Sequence, residues 1–373
     1  MKKNLQKNLG GSERKLGLKK LHFWVAVNLG LVFFVLLLAF LAFRVFNGQK
    51  IKPELPNLGI LNSETDDGLV GRLIDGVRVE PGEENPYPIA VMIDNSPEAR
   101  PQAGISKASY VIEAEAEGGI TRYMAIFAST DLPEKIGPVR SARPYFVDWA
   151  NEFSAVYAHC GGSPEALVKI SRDGTVDLNQ FYKGDLFWRG TTRLAPHNIY
   201  TSKELLNKFL SDKELKEGKF FAYLFKSDAE FNARPEQHEI NVTYRLRGFH
   251  VNWVYSKDEN DYVRFVSGQE YKDEQGDTVR AKNIIIQMAD AKVLDSKLRL
   301  EMDMIGEGRA IVCLDGKCTE GIWKKKSSSA RTRFYDINNQ EFEYNSGVTW
   351  VQVVRPDIAV DYGQKDDPEE IIK

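Results

Sequence analysis

An uninterrupted apolar run of 21 residues, from Phe23 to Phe43, is the feature that most constrains this chain. The run carries no charge and one polar side chain, Asn28. A helix of this length rises about 30 Å, the thickness of a bilayer's hydrocarbon core. We therefore expect a transmembrane helix over residues 21–45. A buried core helix and a cleaved signal peptide are the alternatives, but the run is long for a signal sequence and no A-x-A site precedes Arg44. No cysteine stands directly after the run, so a lipid anchor is not expected in its place.

The charges on either side of this run predict its orientation. Residues 1–20 contain seven lysines or arginines and one acid, which gives this basic tail a charge of +6. The positive-inside rule keeps the tail in the cytoplasm and places the rest outside. Since the whole chain carries −3, the remainder carries about −9, which is not the basic footprint of a nucleic-acid-binding protein. We expect a single-pass plasma-membrane protein, held by a signal anchor at residues 23–43, with no nucleic-acid partner.

Composition divides the rest of the chain into segments. Residues 46–85 are rich in Gly, Pro, Asn and Asp and read as a linker. Residues 86–205 alternate short apolar strands with helical stretches, which predicts an α/β domain. A connecting segment, residues 206–239, leads to residues 240–356, whose β-branched and aromatic runs predict a mostly antiparallel β-rich domain. An acidic tail follows over residues 357–373. The predicted fold class is α+β: a transmembrane helix, an α/β domain and a β-rich domain.

A row of carboxylates is the first candidate site. Glu113, Glu115 and Glu117 alternate with alanines on a predicted strand that a Gly118-Gly119 turn joins to the next strand. Successive strand side chains point to opposite faces, so the three glutamates are expected on one face, about 7 Å apart. Three interpretations stay open: a solvated face, a ligand-binding row answered by arginines, or a catalytic carboxylate pair of the kind that glycoside hydrolysis uses.

Arginines near this row supply the opposite charge. Arg140 and Arg143 lie in the segment GPVRSARP, where prolines on both sides restrict the backbone, and Arg122 lies on the strand after the row. Held guanidinium groups form paired hydrogen bonds with carboxylate or phosphate. These arginines are therefore expected either to pair with the glutamates internally or to capture an anionic ligand.

The segment HCGGSPE is a second candidate anion site. It follows a predicted strand, and Ser163 suits the N-cap of a helix that Pro164 begins. A strand, a glycine-rich turn and a helix N-terminus together can bind an anion, although a capped helix start alone is also common. Cys160 is either a core residue or a nucleophile, and in the second case His197 is the candidate base.

A cysteine pair and an aromatic loop are the last two candidate features. Cys313 and Cys318 are expected to face each other across an Asp315-Gly316 turn, where a disulfide is sterically possible and its short loop stabilises little. No metal site is expected, because two thiols without a neighbouring histidine do not complete a zinc site. The aromatic loop at residues 181–189 is expected either to stack on sugar rings or to pack internally.

Several stretches of the sequence resemble the YerB-like family of bacterial envelope proteins. They are PIAVMIDNSPEARPQAGISKASYVIEAEAEGGITRYMAIF, KIGPVRSARPYF, HCGGSPEAL, APHNIY and GVTWVQVV, and the resemblance covers about residues 85–355. It implies an α/β domain and a C-terminal domain behind a lipoprotein or membrane anchor, and it implies no mechanism. Carried over by motif, it implies a shared surface of Asn95, Arg100, Glu113, Glu115, Arg122, Arg140, Ser141, Arg143, Gly161, Gly162, Ser163, His197 and Asn198. The chain departs from the family in its apolar run and in Cys160, where a small or apolar residue is expected.

These observations predict a membrane-anchored extracytoplasmic protein that binds a polar cell-envelope ligand, such as a wall glycan or peptide, without catalysis or a cofactor. Its contacts would come from the glutamate row, the Arg140 and Arg143 segment and the helix start at Ser163. Two alternatives stay open. One is a cell-wall hydrolase or transferase with Glu113 or Glu115 as general acid or base. The other is a scaffold that recruits envelope proteins for wall synthesis.

Overall fold

Residues 68–363 are the part of the chain that the computed structural model describes, and they are dominated by β-strands. The predicted basic tail and transmembrane helix, most of the predicted linker and most of the acidic tail lie outside these described residues. Within residues 68–363, no helix has both the length and the apolar composition needed to cross a membrane.

The described residues contain three α-helices and twenty-four strands, numbered in chain order. The helices are α1 Pro144–Glu152, α2 Pro164–Asp173 and α3 Lys203–Asp212. The strands are β1 Val70–Gly71, β2 Arg78–Val79, β3 Pro88–Asp94, β4 Tyr110–Glu117, β5 Ile120–Ala128, β6 Val156–His159, β7 Val176–Asn179, β8 Trp188–Arg189, β9 Ile199–Tyr200, β10 Leu224–Lys226, β11 Glu239–Thr243, β12 Val251–Ser256, β13 Asp261–Val266, β14 Gln269–Glu270, β15 Arg280–Ala281, β16 Asn283–Met288, β17 Ala291–Val293, β18 Leu300–Met302, β19 Gly306–Leu314, β20 Lys317–Lys325, β21 Arg333–Asp336, β22 Glu343–Asn345, β23 Thr349–Val354 and β24 Ala359–Asp361.

A ten-stranded mixed sheet forms the centre of the fold. Its strand order is β21-β20-β19-β16-β23-β4-β5-β3-β6-β7. Strands β16, β23 and β4 pair in parallel, and so do β3, β6 and β7. Strand β5 lies antiparallel between β4 and β3, so these two run in the same direction. The carboxyl ends of all six strands therefore lie along one edge of the sheet.

This shared sheet corrects the predicted fold class. We expected an α/β domain followed by a separate β-rich domain, but β23 pairs directly with β4, register Val351 opposite Ile112. Strands β16 and β23 were expected in a separate, mostly antiparallel domain. They are instead central parallel strands of the sheet that contains β3 to β7, so the prediction of an independent α/β domain is wrong. Nearly every residue of both is buried, as both faces of the sheet are covered. An apolar run indicates a buried strand but does not identify its partner.

The two faces of the large sheet pack against different layers. One face packs on a six-stranded sheet of order β14-β13-β12-β11-β24, with β15 also paired to β13, and Trp350 meets Trp253 there at 5.2 Å between ring centroids. The other face packs on α1, where Phe146 and Trp149 contribute to the core with Met92 of β3. Burial of these large apolar side chains on both faces is the main driving force for this layered arrangement.

Several helices and hairpins start or turn at the residues that the sequence predicts. Helix α2 begins at Pro164, and the Ser163 hydroxyl accepts a hydrogen bond from the Ala166 amide at 3.3 Å. The β4–β5 hairpin turns at two glycines with positive φ. Cys313 and Cys318 pair across the turn between β19 and β20, and they form a disulfide with a Cα–Cα distance of 4.0 Å.

Candidate functional site

Polar side chains gather where the parallel strands β3, β6 and β7 end. Asp94 is the last residue of β3, Cys160 follows β6, and Gln180 follows β7. The Arg140 amide donates a hydrogen bond to the Met92 carbonyl of β3 at 2.9 Å, which places Arg140 beside the end of that strand. Crevices at the carboxyl ends of parallel strands are frequent ligand sites in α/β sheets. We define the strand-edge site as Asp94, Arg140, Cys160, Arg189 and His197.

Asp94 holds this site together. Its carboxylate is buried, and its Oδ2 lies 2.7 Å from Nδ1 of His197 and 3.1 Å from Nε of Arg140. The Ser96 amide donates to its Oδ1 at 2.9 Å. Burial raises the pKa of Asp94, but Arg140, the Ser96 amide and His197 together hold that pKa below its ordinary value. The carboxylate is therefore ionised at neutral pH and fixes the Arg140 guanidinium and the His197 imidazole beside one another.

Arg140 and His197 are only partly covered. Their side chains are 22 % and 20 % exposed, whereas Asp94 is 2 % exposed. With Nδ1 of His197 directed at Asp94, its Nε2 is the nitrogen left for another partner. The buried carboxylate therefore positions two groups whose remaining polar atoms reach toward solvent.

Arg189 adds a second guanidinium group to the strand-edge site. Its Nη1 donates to the Asn198 side-chain oxygen at 2.7 Å, and Asn198 in turn donates to the Gly190 and Arg193 carbonyls. Burial raises the pKa of the Cys160 thiol, while Arg189 and Arg140 act in the opposite direction. The Cys160 amide donates to the Arg140 carbonyl at 3.0 Å, so Arg140 lies next to Cys160 in the fold. A thiol with a raised pKa is a poor nucleophile at neutral pH.

The glycine-rich turn after β6 packs against an aromatic side chain. Gly161 has a φ of +61°, and a Cβ added there would lie 2.4 Å from Phe181. The Gly161 amide donates to the Asn179 side-chain oxygen at 3.0 Å, so this amide is already used internally. Phe181 and Tyr182 are 68 % and 77 % exposed. The turn therefore leaves room for the exposed ring of Phe181 directly beside Cys160.

The glutamate row does not face this site. Glu113 is fully buried and pairs with Arg264 of β13 at 2.6 Å, and its other oxygen accepts from the Thr121 hydroxyl at 2.7 Å. The guanidinium carbon of Arg264 lies 4.4 Å from the centroid of Trp350 and 5.0 Å from that of Trp253. Glu113 therefore joins the two sheets rather than facing solvent.

Glu115 and Glu117 also pair with arginines, but on different faces. Glu115 lies 2.9 Å from Arg355, and burial raises the pKa of its carboxyl although Arg355 lowers it. Glu117 lies 2.8 Å from Arg122 and 2.7 Å from Arg143. Burial raises the pKa of Glu117, but Arg122 and Arg143 bring it below its ordinary value.

The expectation that the three glutamates share a face is wrong at Glu117. A β-bulge between Glu115 and Glu117 shifts the register against β5. One additional residue reverses the side-chain alternation, so Glu117 turns to the face that carries Arg122 and the helices. Glu113 and Glu115 remain on the face toward the six-stranded sheet.

The structure brings some of the predicted residues together and separates others. Those at or beside the strand-edge site are Arg140, Gly161, Gly162, Ser163, His197 and Asn198. Asn95 points inward and donates to Thr121 at 2.7 Å. Arg100 donates to Asn95 and to the Gly248 carbonyl at 2.6 Å. Ser141 lends its carbonyl to Arg122 at 2.8 Å.

Sequence reasoning missed Asp94, Arg189 and Arg264. Asp94 and Asn95 end an apolar strand, which is the position where strand-edge side chains of a parallel sheet collect. Arg264 occupies a buried position of the alternating strand β13, between Tyr262 and Val266, and a cation on the apolar side of such a strand signals a buried partner. Among residues 68–363, no group of three or more His, Cys, Asp or Glu side chains is arranged to hold a metal ion.

Comparison with known proteins defines the class of this protein. Residues 75–216 match the family described as "Protein of unknown function (DUF3048) N-terminal domain", and residues 240–351 match the corresponding C-terminal domain. The chain belongs to this family, and within it to the YerB-like proteins.

The sequence and the crystal structure of a relative from Bacillus subtilis show how far the likeness extends. The chain is 33 % identical over 290 residues to the protein named "Putative lipoprotein YerB" of strain 168, covering 76 % of this chain and 86 % of that protein. It is also similar to the crystal structure of YerB protein from Bacillus subtilis, with a TM-score of 0.69 and 32 % identity over 78 % of this chain and 99 % of that one.

The name of this relative corrects the predicted localisation. We expected a single-pass protein with a cytoplasmic N-terminus, whereas the relative is named as a lipoprotein, which is a lipid-anchored class of protein. The prediction of a single-pass protein is therefore wrong. It rested on the hydropathy of residues 23–43, which measures the affinity of a segment for lipid and does not distinguish a spanning helix from other uses of an apolar segment.

Proposed function

We propose that this protein is a non-catalytic binding module for a carboxylate-bearing ligand of the cell envelope, such as a wall glycan or peptide, and that the ligand binds at the strand-edge site. The observation that carries the proposal is the pairing of Arg140 and His197 on the buried carboxylate of Asp94. A buried anion that fixes two partly exposed cationic or donor groups prepares them for an anionic partner.

The rest of the strand-edge site supports the same chemistry. Arg189 is oriented by Asn198, whose side-chain oxygen accepts from one of its N–H groups and leaves the others for a ligand. A planar guanidinium group forms two parallel hydrogen bonds with a carboxylate, which gives direction as well as affinity. The exposed ring of Phe181, which lies against Gly161, offers apolar surface beside the site, where the face of a sugar ring or an aliphatic chain would pack.

The lipoprotein name of the relative supports an envelope location for the ligand. A domain attached at a membrane surface meets wall polymers and envelope proteins there. Wall glycans and peptides carry carboxylates next to amides and hydroxyls, which suits a site built from arginines, an imidazole and aromatic rims.

The burial of Glu113 and Glu115 argues against the hydrolase alternative. Both carboxylates are almost fully covered and already paired, with Arg264 and Arg355 respectively. A general acid or base must come within hydrogen-bond reach of the substrate. A buried carboxylate in an ion pair lacks that reach.

A sedimentation assay with insoluble cell-wall sacculi tests the proposal. The full-length chain is compared with Arg189→Ala, Arg140→Lys and a control, Arg172→Ala, whose side chain is 65 % exposed on α2. Losing a paired contact between arginine and carboxylate costs about 1.5–3 kcal/mol, so Arg189→Ala should weaken wall binding about tenfold or more. Arg140→Lys retains the charge beside Asp94 but loses the planar donor pair, and binding should weaken with little change in thermal stability.

The outcomes separate the three functions. Binding that falls in the two site variants and not in Arg172→Ala supports the module. Wall binding that is equal in all four proteins refutes the site. No wall binding by the wild-type chain refutes the module and favours the scaffold. Soluble sugars or peptides released by the wild type, and absent with Glu113→Gln, would establish the hydrolase instead.

A further inference from the structure

A second cavity lies at the same edge of the large sheet, at the carboxyl end of β16. Its volume is about 670 Å³, within the range of about 300–1,000 Å³ that small-molecule sites occupy. Met288 and Ala289, which end β16, form part of its wall, and β24 with the start of β19 closes the other sides. No residue of the strand-edge site lines it.

One part of the wall of this cavity is apolar, although polar groups provide most of the exposed lining, and a glycine leaves space beside that part. Trp323 donates its indole N–H to the Met288 carbonyl at 2.7 Å, which fixes the ring against the floor. Gly308 lies against this ring, and a Cβ added there would lie 2.6 Å from the indole nitrogen. Ile305 and Ile358 add aliphatic surface. The cavity therefore offers a preformed apolar slot beside an indole ring.

The rim of the cavity is strongly acidic. Four carboxylates line it, and no ion pair joins any of them to a Lys or Arg within residues 68–363; they are Asp290, Asp303, Glu307 and Asp361. The lining contains one cation, Arg309, and that guanidinium is paired with Glu320 at 2.7 Å. Lys324, which stands opposite Glu307 across the strands, donates instead to Asn339 at 2.7 Å.

This charge lacks a counterpart within the described residues, and the adjoining sequence does not supply one. Residues 364–373 contain four acids and two lysines, so their net charge has the same sign as the rim. An apolar slot with unbalanced carboxylates at its mouth is complementary to a cation that carries an aliphatic stem. A neutral apolar ligand would leave the carboxylates unanswered, and an anion would be repelled.

We infer that this cavity binds an alkylammonium group, either the side chain of a lysine-type residue in a peptide or a free aliphatic amine. The stem lies in the slot beside Trp323, and the ammonium group donates to the carboxylates of Asp303 and Asp361. Each of these carboxylates accepts one backbone amide, from Ile305 and from Gly363, and each has a second oxygen for the ligand.

The indole N–H resonance of Trp323 provides a direct assay. The full-length ¹⁵N-labelled chain contains six tryptophans, and the Trp323 signal is assigned by its loss in Trp323→Phe. The chain is titrated separately with n-butylamine, with N-acetyl-lysine N-methylamide, and with n-butanol and butyrate as uncharged and anionic controls. The two ammonium ligands should shift the Trp323 signal, and the shift should weaken with salt.

Charge variants then locate the ammonium group. The double variant Asp303→Asn/Asp361→Asn retains the backbone contacts and loses two charges, so the apparent affinity for n-butylamine should fall about three- to tenfold. Asp258→Asn, an exposed carboxylate away from the cavity, should bind as the wild type does. A shift by n-butylamine alone identifies a free amine, and a shift by the lysine derivative identifies a peptide side chain.

Three results would overturn the inference. They are an unmoved Trp323 signal with both ammonium ligands, an equal response to n-butanol, and unchanged affinity in the double aspartate variant. Unchanged positions of the other indole signals in the variants show that the fold is retained. None of these results depends on wall binding at the strand-edge site, because the two sites share no residue.

Discussion

The buried pair of Glu113 and Arg264 allows a sharp test of how the two sheets are held together. Both side chains are 0 % exposed, and their charged atoms lie 2.6 Å apart. Two single variants, Glu113→Leu and Arg264→Met, each leave one buried charge without its partner. The double variant Glu113→Leu/Arg264→Met leaves neither charge and fills the space with apolar atoms.

The loss of stability expected in each single variant depends on which member of the pair remains buried without its partner. Breaking a buried ion pair costs about 3–5 kcal/mol, whereas exchanging both members for apolar groups is often close to neutral. Arg264 cannot lose its proton, so Glu113→Leu should lie near the upper end of that range, even though Trp350 at 4.4 Å partly compensates the cation. In Arg264→Met the stranded carboxyl can take up a proton, so the cost should be nearer 3 kcal/mol. The double variant should lose only about 1–2 kcal/mol, because Thr121 loses its acceptor.

Urea unfolding of the full-length proteins measures these differences. The expected order of stability is wild type, then the double variant, then the two single variants. Lys208→Met is the matched control, since Lys208 and Asp212 form an exposed pair at 55 % and 58 % exposure, and its cost should stay below about 1 kcal/mol. A double variant that is less stable than either single variant would refute the reasoning, because it would show that leaving one buried charge without its partner costs less than removing both.

Three further perturbations test other contacts. Gly161→Ala places a Cβ 2.4 Å from Phe181 at a φ of +61°, so urea unfolding should show a loss of about 1–3 kcal/mol, which adding Phe181→Ala recovers only in part. Changing Cys313 and Cys318 to alanine removes a short loop constraint and should cost about 2 kcal/mol by the same measurement. Burial raises the pKa of Asp315, but its hydrogen bonds outweigh this and lower the pKa to about 2. The ionised carboxylate therefore stabilises the fold above about pH 4, and this stabilisation is lost as the pH falls toward 2. Acid unfolding of Asp315→Asn should lack this pH-dependent loss of stability.

Short-range signals in the sequence predicted elements well. The hairpin of β4 and β5 follows from two adjacent glycines between alternating strands, and both have positive φ in the structure. The start of α2 follows from Ser163 and Pro164. The turn between β19 and β20 follows from Asp315-Gly316. In each case the residues that determine the conformation are neighbours in the chain, so their chemistry is readable without knowing the fold.

Long-range pairing was not predictable in the same way. Strand β23 pairs with β4 across more than two hundred residues, and both are apolar runs whose composition fits several partners. The bulge before Glu117 illustrates a second limit, since it changes the face of one side chain without changing the alternating pattern of residues. The three glutamates therefore do not share the one face that the alternating pattern predicts. Arg140 and His197 meet at Asp94, while Glu113 pairs with Arg264.

The same pairing explains why the two family-matched regions should be treated as one folding unit. Residues 75–216 supply β4, and residues 240–351 supply β16, the first half of β23 and Arg264. Without the second region, β4 would present an unpaired edge in the middle of an apolar sheet, and Glu113 would be a buried charge without a cation. Conversely, β23 without β4 would expose one edge of a strand whose residues are all buried. The strand-edge site lies at the end of strands from the first region and the acidic cavity at the end of β16 from the second, so both lie on a sheet that neither region completes alone.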